Sequence, residues 1–321
     1  CRDTILSLYR RYHDPRWLAP DPLVIVRRYS TPQDQEVAGL VAAALALGNA
    51  TLIMKAAGQV LDPFGDHPAS AMASTTQTGF LAALEGFRYR FFNAGHLAAL
   101  LYAASSVRRA YGSLEAAFLA CAGAASAGVP GPAGHSGDDY TAAASGFVRV
   151  LRVHGAAFSG GGALSPVPSA GASEKADPAR DGAGRQTSAP WPPNLLPDPL
   201  DGSAAKRTFL YLRWMIRRDA VDPGPWTKGE PSRLVVPLDT HMAAACRRLG
   251  ILRRATVDLK AAREVTAYFR GIEPSDPVRF DFSLTRPGIR PDLDADACFD
   301  TSPDSGTDSG TDSGLAGDSG A

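Results

Sequence analysis

The chain has 321 residues, 45% hydrophobic and 21% charged, enough to bury a sizeable core in one large domain or two lobes. No stretch approaches twenty uninterrupted apolar residues, which argues against a membrane-spanning helix. Cys1, Cys121, Cys246 and Cys298 form no CxxC pair and no metal-ligand spacing, against a disulfide framework, a structural zinc or an iron–sulfur cluster. The formal charge is zero, yet eight of the 33 acidic residues lie in 291–321, leaving 33 basic against 25 acidic residues in 1–290. A basic body with an acidic tail suits a polyanionic partner, and it equally suits a solvated surface with an incidental imbalance.

Cys1 is expected to mark a trimmed start, because Arg2 to Arg16 continues directly into charged, helix-like sequence with no polar tether. No targeting segment is visible, and a reducing cytoplasm is the expected setting. Residues 1–127 are rich in Ala and Leu and read as helices. EVAGLVAAALALG (36–48) is an apolar helical run stopped by Gly48 and Asn49. FLAALEGFRYRFF (80–92) is aromatic, HLAALLYAASSVRRA (96–110) has helical spacing, and SLEAAFLACAG (113–123) opens on a serine cap. A Gly/Pro loop at 128–139 precedes a helical piece at about 140–154. Gly, Ala, Ser and Pro dominate 155–192, the composition of a disordered insertion. Structure is expected again over 193–299, and 300–321 is an acidic TDSG-type repeat too polar to bury anything. Alternating strand patterns are scarce, so the expected class is all-α.

Two segments carry candidate chemistry. In LLPDPLDGSAAKRTFLYLRWMIRRD (195–219), two prolines and Asp201-Gly202 predict a tight turn, Ser203 an N-cap, and the periodic run after it a helix to about Arg218. Lys206, Arg213 and Arg217 share one helical face. A glycine turn at a helix N-terminus lets backbone N–H groups approach a phosphate; a plain turn and cap explain the same residues. In PLDTHMAAACRRLG (237–250), Asp239 occupies an N-cap position and Gly250 the stop. First-turn amides fix such a carboxylate and the helix dipole favours its charged form, which suits a cationic transition state. A solvated basic helix with an ordinary cap is the plainer alternative.

A Pro/Gly turn, a Lys-bearing helix and the LDTHMAAACRRLG helix together resemble the helix-hairpin-helix DNA glycosylase superfamily. DPLVIVRRYS (21–30), EVAGLVAAALALGNA (36–50), LRWMIRRD and PLDTH look like an uncharacterised bacterial branch of it. The resemblance covers about 1–125 and 195–290, and its LDTH segment is the specific part. It implies a two-lobed helical bundle with a helix-hairpin-helix DNA-binding motif. Asp239 falls on the family's essential aspartate. Lys206 falls near the lysine that bifunctional members use as nucleophile, with Arg207 a candidate for the neighbouring cation that activates it. Gly202 and Ser203 fall in the hairpin that grips the DNA backbone. This sequence departs from the pattern in having one hairpin glycine rather than two, with Lys206 four residues after it. The Lys206–Asp239 interval of 33 residues is longer than in the endonuclease III type and looks more like the archaeal 8-oxoguanine branch.

The implied function is excision of a damaged base, 8-oxoguanine favoured, from duplex DNA, with or without abasic-site lyase action. A monomer with no cofactor, no metal and no membrane partner is expected. Asp239 would stabilise the oxocarbenium-like sugar, and Lys206 or water would attack it. Gly202, Ser203, Arg207, His241 and Arg247 are candidate DNA contacts. Asn49, Trp214 and Trp226 are candidates for the base pocket, with Gln35, Phe87 and Tyr89 behind them; core packing or capping explains each equally. Two other readings remain open: a DNA-binding module that lost its chemistry, and a helical protein-interaction domain whose arginines meet an acidic partner.

Overall fold

The computed structural model describes residues 1–126, 139–158, 191–192, 194–290, 292–294 and 298–299. The acidic repeat of 300–321 and most of the 155–192 segment lie outside these residues. At the edges of that segment the described chain is ordered core. The helix before it continues to Ala156, and Trp191 is buried directly against Gly155, where even a Cβ would collide with the indole.

The described residues are predominantly helical. α1 (Arg2–Tyr12) and α2 (Leu23–Arg27) lead into α3 (Pro32–Ala44), whose Thr31 cap accepts a hydrogen bond from the Asp34 amide at 3.2 Å. From Glu36 to Ala44 every α3 residue is buried, so this apolar run is a central helix rather than an amphipathic one. α4 (Ala50–Leu61), α5 (Pro68–Ser74) and α6 (Gln77–Ala83) follow. The aromatic stretch then leaves the helical pattern. β1 (Arg88–Tyr89) and β2 (Phe92–Asn93) form a two-stranded antiparallel hairpin with Tyr89 opposite Phe92. Asn93 and His96 make a reciprocal capping box for α7 (Ala94–Tyr111), which stops at Gly112 with φ 88°. α8 (Leu114–Ser126) and α9 (Thr141–Ala156) pack on each other and on α7.

After a short 3-10 turn at Pro199–Asp201 come α10 (Lys206–Ile216), α11 (Thr240–Arg248), α12 (Leu259–Arg270) and α13 (Asp281–Ile289). α10 lies across α3 at the one place where a glycine permits it: a Cβ on Gly39 would stand 2.6 Å from the Met215 Cε. α1 packs on α13, so both ends of the described chain share one core running from Ile5 to Leu284. Among the described residues no helix is long and apolar enough to cross a membrane, no His/Cys/Asp/Glu cluster could hold a metal ion, and all four cysteines are free.

Candidate active site

Three helix N-termini converge on one cleft of about 800 Å³. α10 brings Lys206, α11 brings its cap Asp239, and α13 brings its first residue, Asp281. The positive ends of three helix dipoles therefore face a common space.

Each side chain is placed by local sequence. Asp239 caps α11 through Oδ1, which accepts from the Met242 amide at 2.9 Å. Oδ2 stays free of the cap and lies 3.7 Å from Lys206 Nζ, with both side chains about one-quarter exposed. The start of α10 differs from the expected serine cap. Ser203 Oγ accepts from the Ala205 amide at 3.3 Å, and Ala205 occupies the N-cap position without a side-chain bond. Gly202 and Ala205 are both left-handed, at φ 86° and 43°. That conformation is ordinary for glycine and costs an alanine on the order of 1 kcal/mol. The double left-handed turn swings the first turn of α10 into the cleft. Ser203 bridges to Asp258, the cap of α12, and exposed Gly202 has open space where a Cβ would be.

Behind the cleft lies a buried ionic chain. Arg213 of α10 grips Asp222 through Nε at 3.2 Å and Nη2 at 2.9 Å, and donates to Asp281 through Nη1. Arg217 joins Asp222, Asp276 and Asp219, and Asp219 meets His13 of α1 at 2.8 Å. The expectation of a phosphate-binding face shared by Lys206, Arg213 and Arg217 is therefore corrected. Arg213 and Arg217 are each 3% exposed and fully committed to carboxylates. Burial pushes the Asp281 carboxyl up to about 6; Arg213 opposes the rise, and the Asp239 charge adds to it. A carboxyl poised there can give or take a proton near neutral pH. Burial also acts on Asp219, but His13 and Arg217 outweigh it and hold this carboxyl far below the usual range.

The remaining candidates divide. Asn49, which caps α4 by accepting from Thr51 N at 3.0 Å, lines the cleft, as do Ser203, Trp214 and His241. His241 rests on Gly288, where a Cβ would stand 3.0 Å from its Nδ1. Arg207 departs from its expected roles as phosphate contact and activating cation. It is 8% exposed, and its guanidinium donates to the carbonyls of Ala44 (2.9 Å), Leu195 (3.2 Å) and Asn194. Burial pulls it down to about 10, and its work is to clamp the end of α3 to the start of α10. Trp226 is core: its Nε1 donates to Glu36 at 2.8 Å and its ring stacks on Phe118. Arg247 is exposed away from the cleft, on the Arg254 and Ala255 carbonyls. Gln35 donates to the Tyr29 carbonyl, Tyr89 to the Leu47 carbonyl, and Phe87 is buried. Asp281 was missed by sequence reasoning, since VRFDFSL presents no cap box or motif around it.

Residues 21–175 and 180–290 match the family model described as "Protein of unknown function (DUF2400)". The chain belongs to the DUF2400 family. The two matched segments contain Lys206, Asp239, Asp281 and the Arg213 network partners Asp222 and Asp276, so the cleft falls within the DUF2400 match. α1, which supplies His13 just after its end, precedes it. No curated protein and no solved structure matches the chain.

Proposed function

We propose that this DUF2400 chain is a DNA N-glycosylase of the helix-hairpin-helix kind, acting on a damaged base turned out of the duplex. The observation that carries the reading is the 3.7 Å approach of Lys206 Nζ to the Asp239 carboxylate in a cleft where helix N-termini meet. These two residues are 33 apart in the chain, and they are the pair that the sequence resemblance singles out. In this reading α9 and α10 are the helices of the motif and Asp198–Ala205 is the hairpin. The carboxylate of Asp239 stabilises positive charge developing on the sugar as the bond to the base breaks. Lys206 adds to C1′, the base departs, and the resulting Schiff base permits strand cleavage at the abasic site. The cleft is roomy enough for an extruded base, with Trp214 and Asn49 in its lining. DNA backbone would meet Gly202, Ser203 and His241.

The test is incubation with duplexes carrying 8-oxoguanine, uracil or an abasic site, with borohydride present. The long Lys-to-Asp interval puts 8-oxoguanine first. Covalent trapping that disappears in Lys206→Ala is the expected result. Excision that survives in Lys206→Ala without trapping would make water the nucleophile. Salt-sensitive DNA binding with no lesion excised would leave a DNA-binding module, and no DNA affinity at low salt would exclude both.

A further inference from the structure

The tip of the β1–β2 hairpin has no explanation within the fold. Tyr89 pairs with Phe92, so the loop between them is two residues, Arg90 and Phe91. Two-residue hairpins need a left-handed first position and favour Gly, Asn or Asp there. Here an arginine takes φ 51°, a conformation costly for a residue with a long side chain. The second loop residue, Phe91, is 69% exposed, more than any other large hydrophobic side chain among the described residues. Its neighbours in sequence, Phe87 and Phe92, are buried in the ordinary way. A strained arginine and a ring held in water both work against folding, so their use lies outside the chain.

The base of the hairpin is firmly held, and it is held to the cleft. Tyr89 Oη donates to the Leu47 carbonyl at 2.8 Å. The Arg90 guanidinium lies over Gly48, leaving no room for a Cβ. The Arg207 guanidinium stands 5.9 Å from the Phe92 ring centroid. Leu47, Gly48 and Arg207 all line the cleft that contains Lys206 and Asp239. The tip therefore stands on the Leu47–Asn49 rim. A second exposed apolar side chain, Leu52 at 55%, lies one turn into α4 between the cleft-lining Thr51 and Ile53. Arg88 and Arg90 flank the ring and are exposed.

We propose that this hairpin is a nucleic-acid wedge: Phe91 enters the base stack of duplex DNA beside the extruded nucleotide while Arg88 and Arg90 meet the flanking phosphates. The occupant follows from chemistry. An exposed aromatic face between two guanidinium groups matches a nucleobase between two phosphates, and a flat ring can fill the gap that an extruded base leaves. Its position at the rim of the cleft supplies the continuity. The inference rests on the proposed action of the cleft on extruded bases, and it assigns the residue that occupies the vacated stack.

The test uses the full chain and a fluorescein-labelled duplex containing a tetrahydrofuran abasic analogue, which cannot be excised. Binding is then read independently of chemistry. Phe91→Ala is expected to weaken binding by about 5- to 100-fold, the loss of one base–aromatic stack. Phe91→Tyr should restore it, and Phe91→Leu should restore it only in part. Because the ring is exposed, the melting temperature of all three should match the parent. Phe91→p-benzoylphenylalanine should photo-crosslink to bases adjacent to the analogue. Parent-like affinity of Phe91→Ala, or crosslinks to a co-purifying protein and none to DNA, would overturn the wedge and leave the glycosylase reading to its own trapping assay. Weakened binding in Phe91→Ala with no lesion excised by the parent would support the wedge and defeat the glycosylase. A parent with no affinity for the duplex at low salt overturns both.

Discussion

Asp239 does two jobs that a pair of substitutions can separate. Oδ1 caps α11 through the Met242 amide at 2.9 Å, while Oδ2 faces Lys206 Nζ at 3.7 Å. Asp239→Ala removes both. Loss of the cap costs about 1 kcal/mol, and loss of a quarter-exposed ion pair adds about 0.2–1 kcal/mol. For a domain of this size that is a fall in melting temperature of about 3–8 °C. Asp239→Asn keeps the cap, because Asn serves as well as Asp at that position. It loses only the ion pair, worth a fall of about 1–4 °C. Catalysis separates the two jobs differently. A preorganised group aimed at transition-state charge is worth about 100- to 1,000-fold in rate, and neither Ala nor Asn carries that charge. Excision from an 8-oxoguanine duplex under single-turnover conditions, with thermal melting of the same samples, reads both quantities. The expected pattern is a stable, inactive Asn variant beside a less stable, inactive Ala variant. Excision by Asp239→Asn within about threefold of the parent would refute the catalytic assignment, since effects of the size expected here are far larger. An Asn variant as unstable as the Ala variant would show that the cap geometry has been misjudged.

The buried ionic chain yields two further expectations. Arg213→Ala leaves Asp222 and Asp281 in the interior without their main partner, so denaturant unfolding should show a loss of about 3–5 kcal/mol; a loss below about 1 kcal/mol would mean that the chain is solvated. Asp281 should give a distinctive pH dependence. Its carboxyl rises from an ordinary 3.8 to about 6 in the folded protein, so the folded state holds the proton more tightly. The resulting stability is fully present below pH 3.8 and lost as pH rises through about 6, a difference of about 3 kcal/mol. The parent should lose that much relative to Asp281→Asn between those limits, in urea titrations run side by side. A parallel pair of curves would refute the shift. Asp239→Asn should shrink the difference, because the Asp239 charge contributes to the raised value.

Local rules made α11 readable from the sequence. Asp239, the periodic apolar positions and Gly250 are all within one helix, and the expected cap is where the structure has it. The start of α10 was less readable. Ser203 satisfies every local criterion for an N-cap, yet the helix begins after Ala205, because the chain must turn twice through left-handed conformations to bring Lys206 into the cleft. The hairpin was hidden for a related reason. Arg90-Phe91 has none of the residues that announce a two-residue turn, so the aromatic stretch blended into its helical surroundings.

The arginines of α10 illustrate the deeper limit. Periodicity places Lys206, Arg213 and Arg217 on one face, and that much holds. It carries no information on whether the face meets water or protein. The answer comes from Asp222, Asp276 and Asp281, which arrive from a loop, a turn and the start of α13. Only where those carboxylates end does the face open to solvent, at Lys206. The same helix therefore supplies a neutralised interior and one accessible amine. Its cationic residues are sorted by their partners rather than by their spacing. Arg207 follows the same logic one residue along: carbonyls of α3 and of the segment before the hairpin occupy its guanidinium, so it fixes where Lys206 stands and leaves Lys206 as the amine beside Asp239.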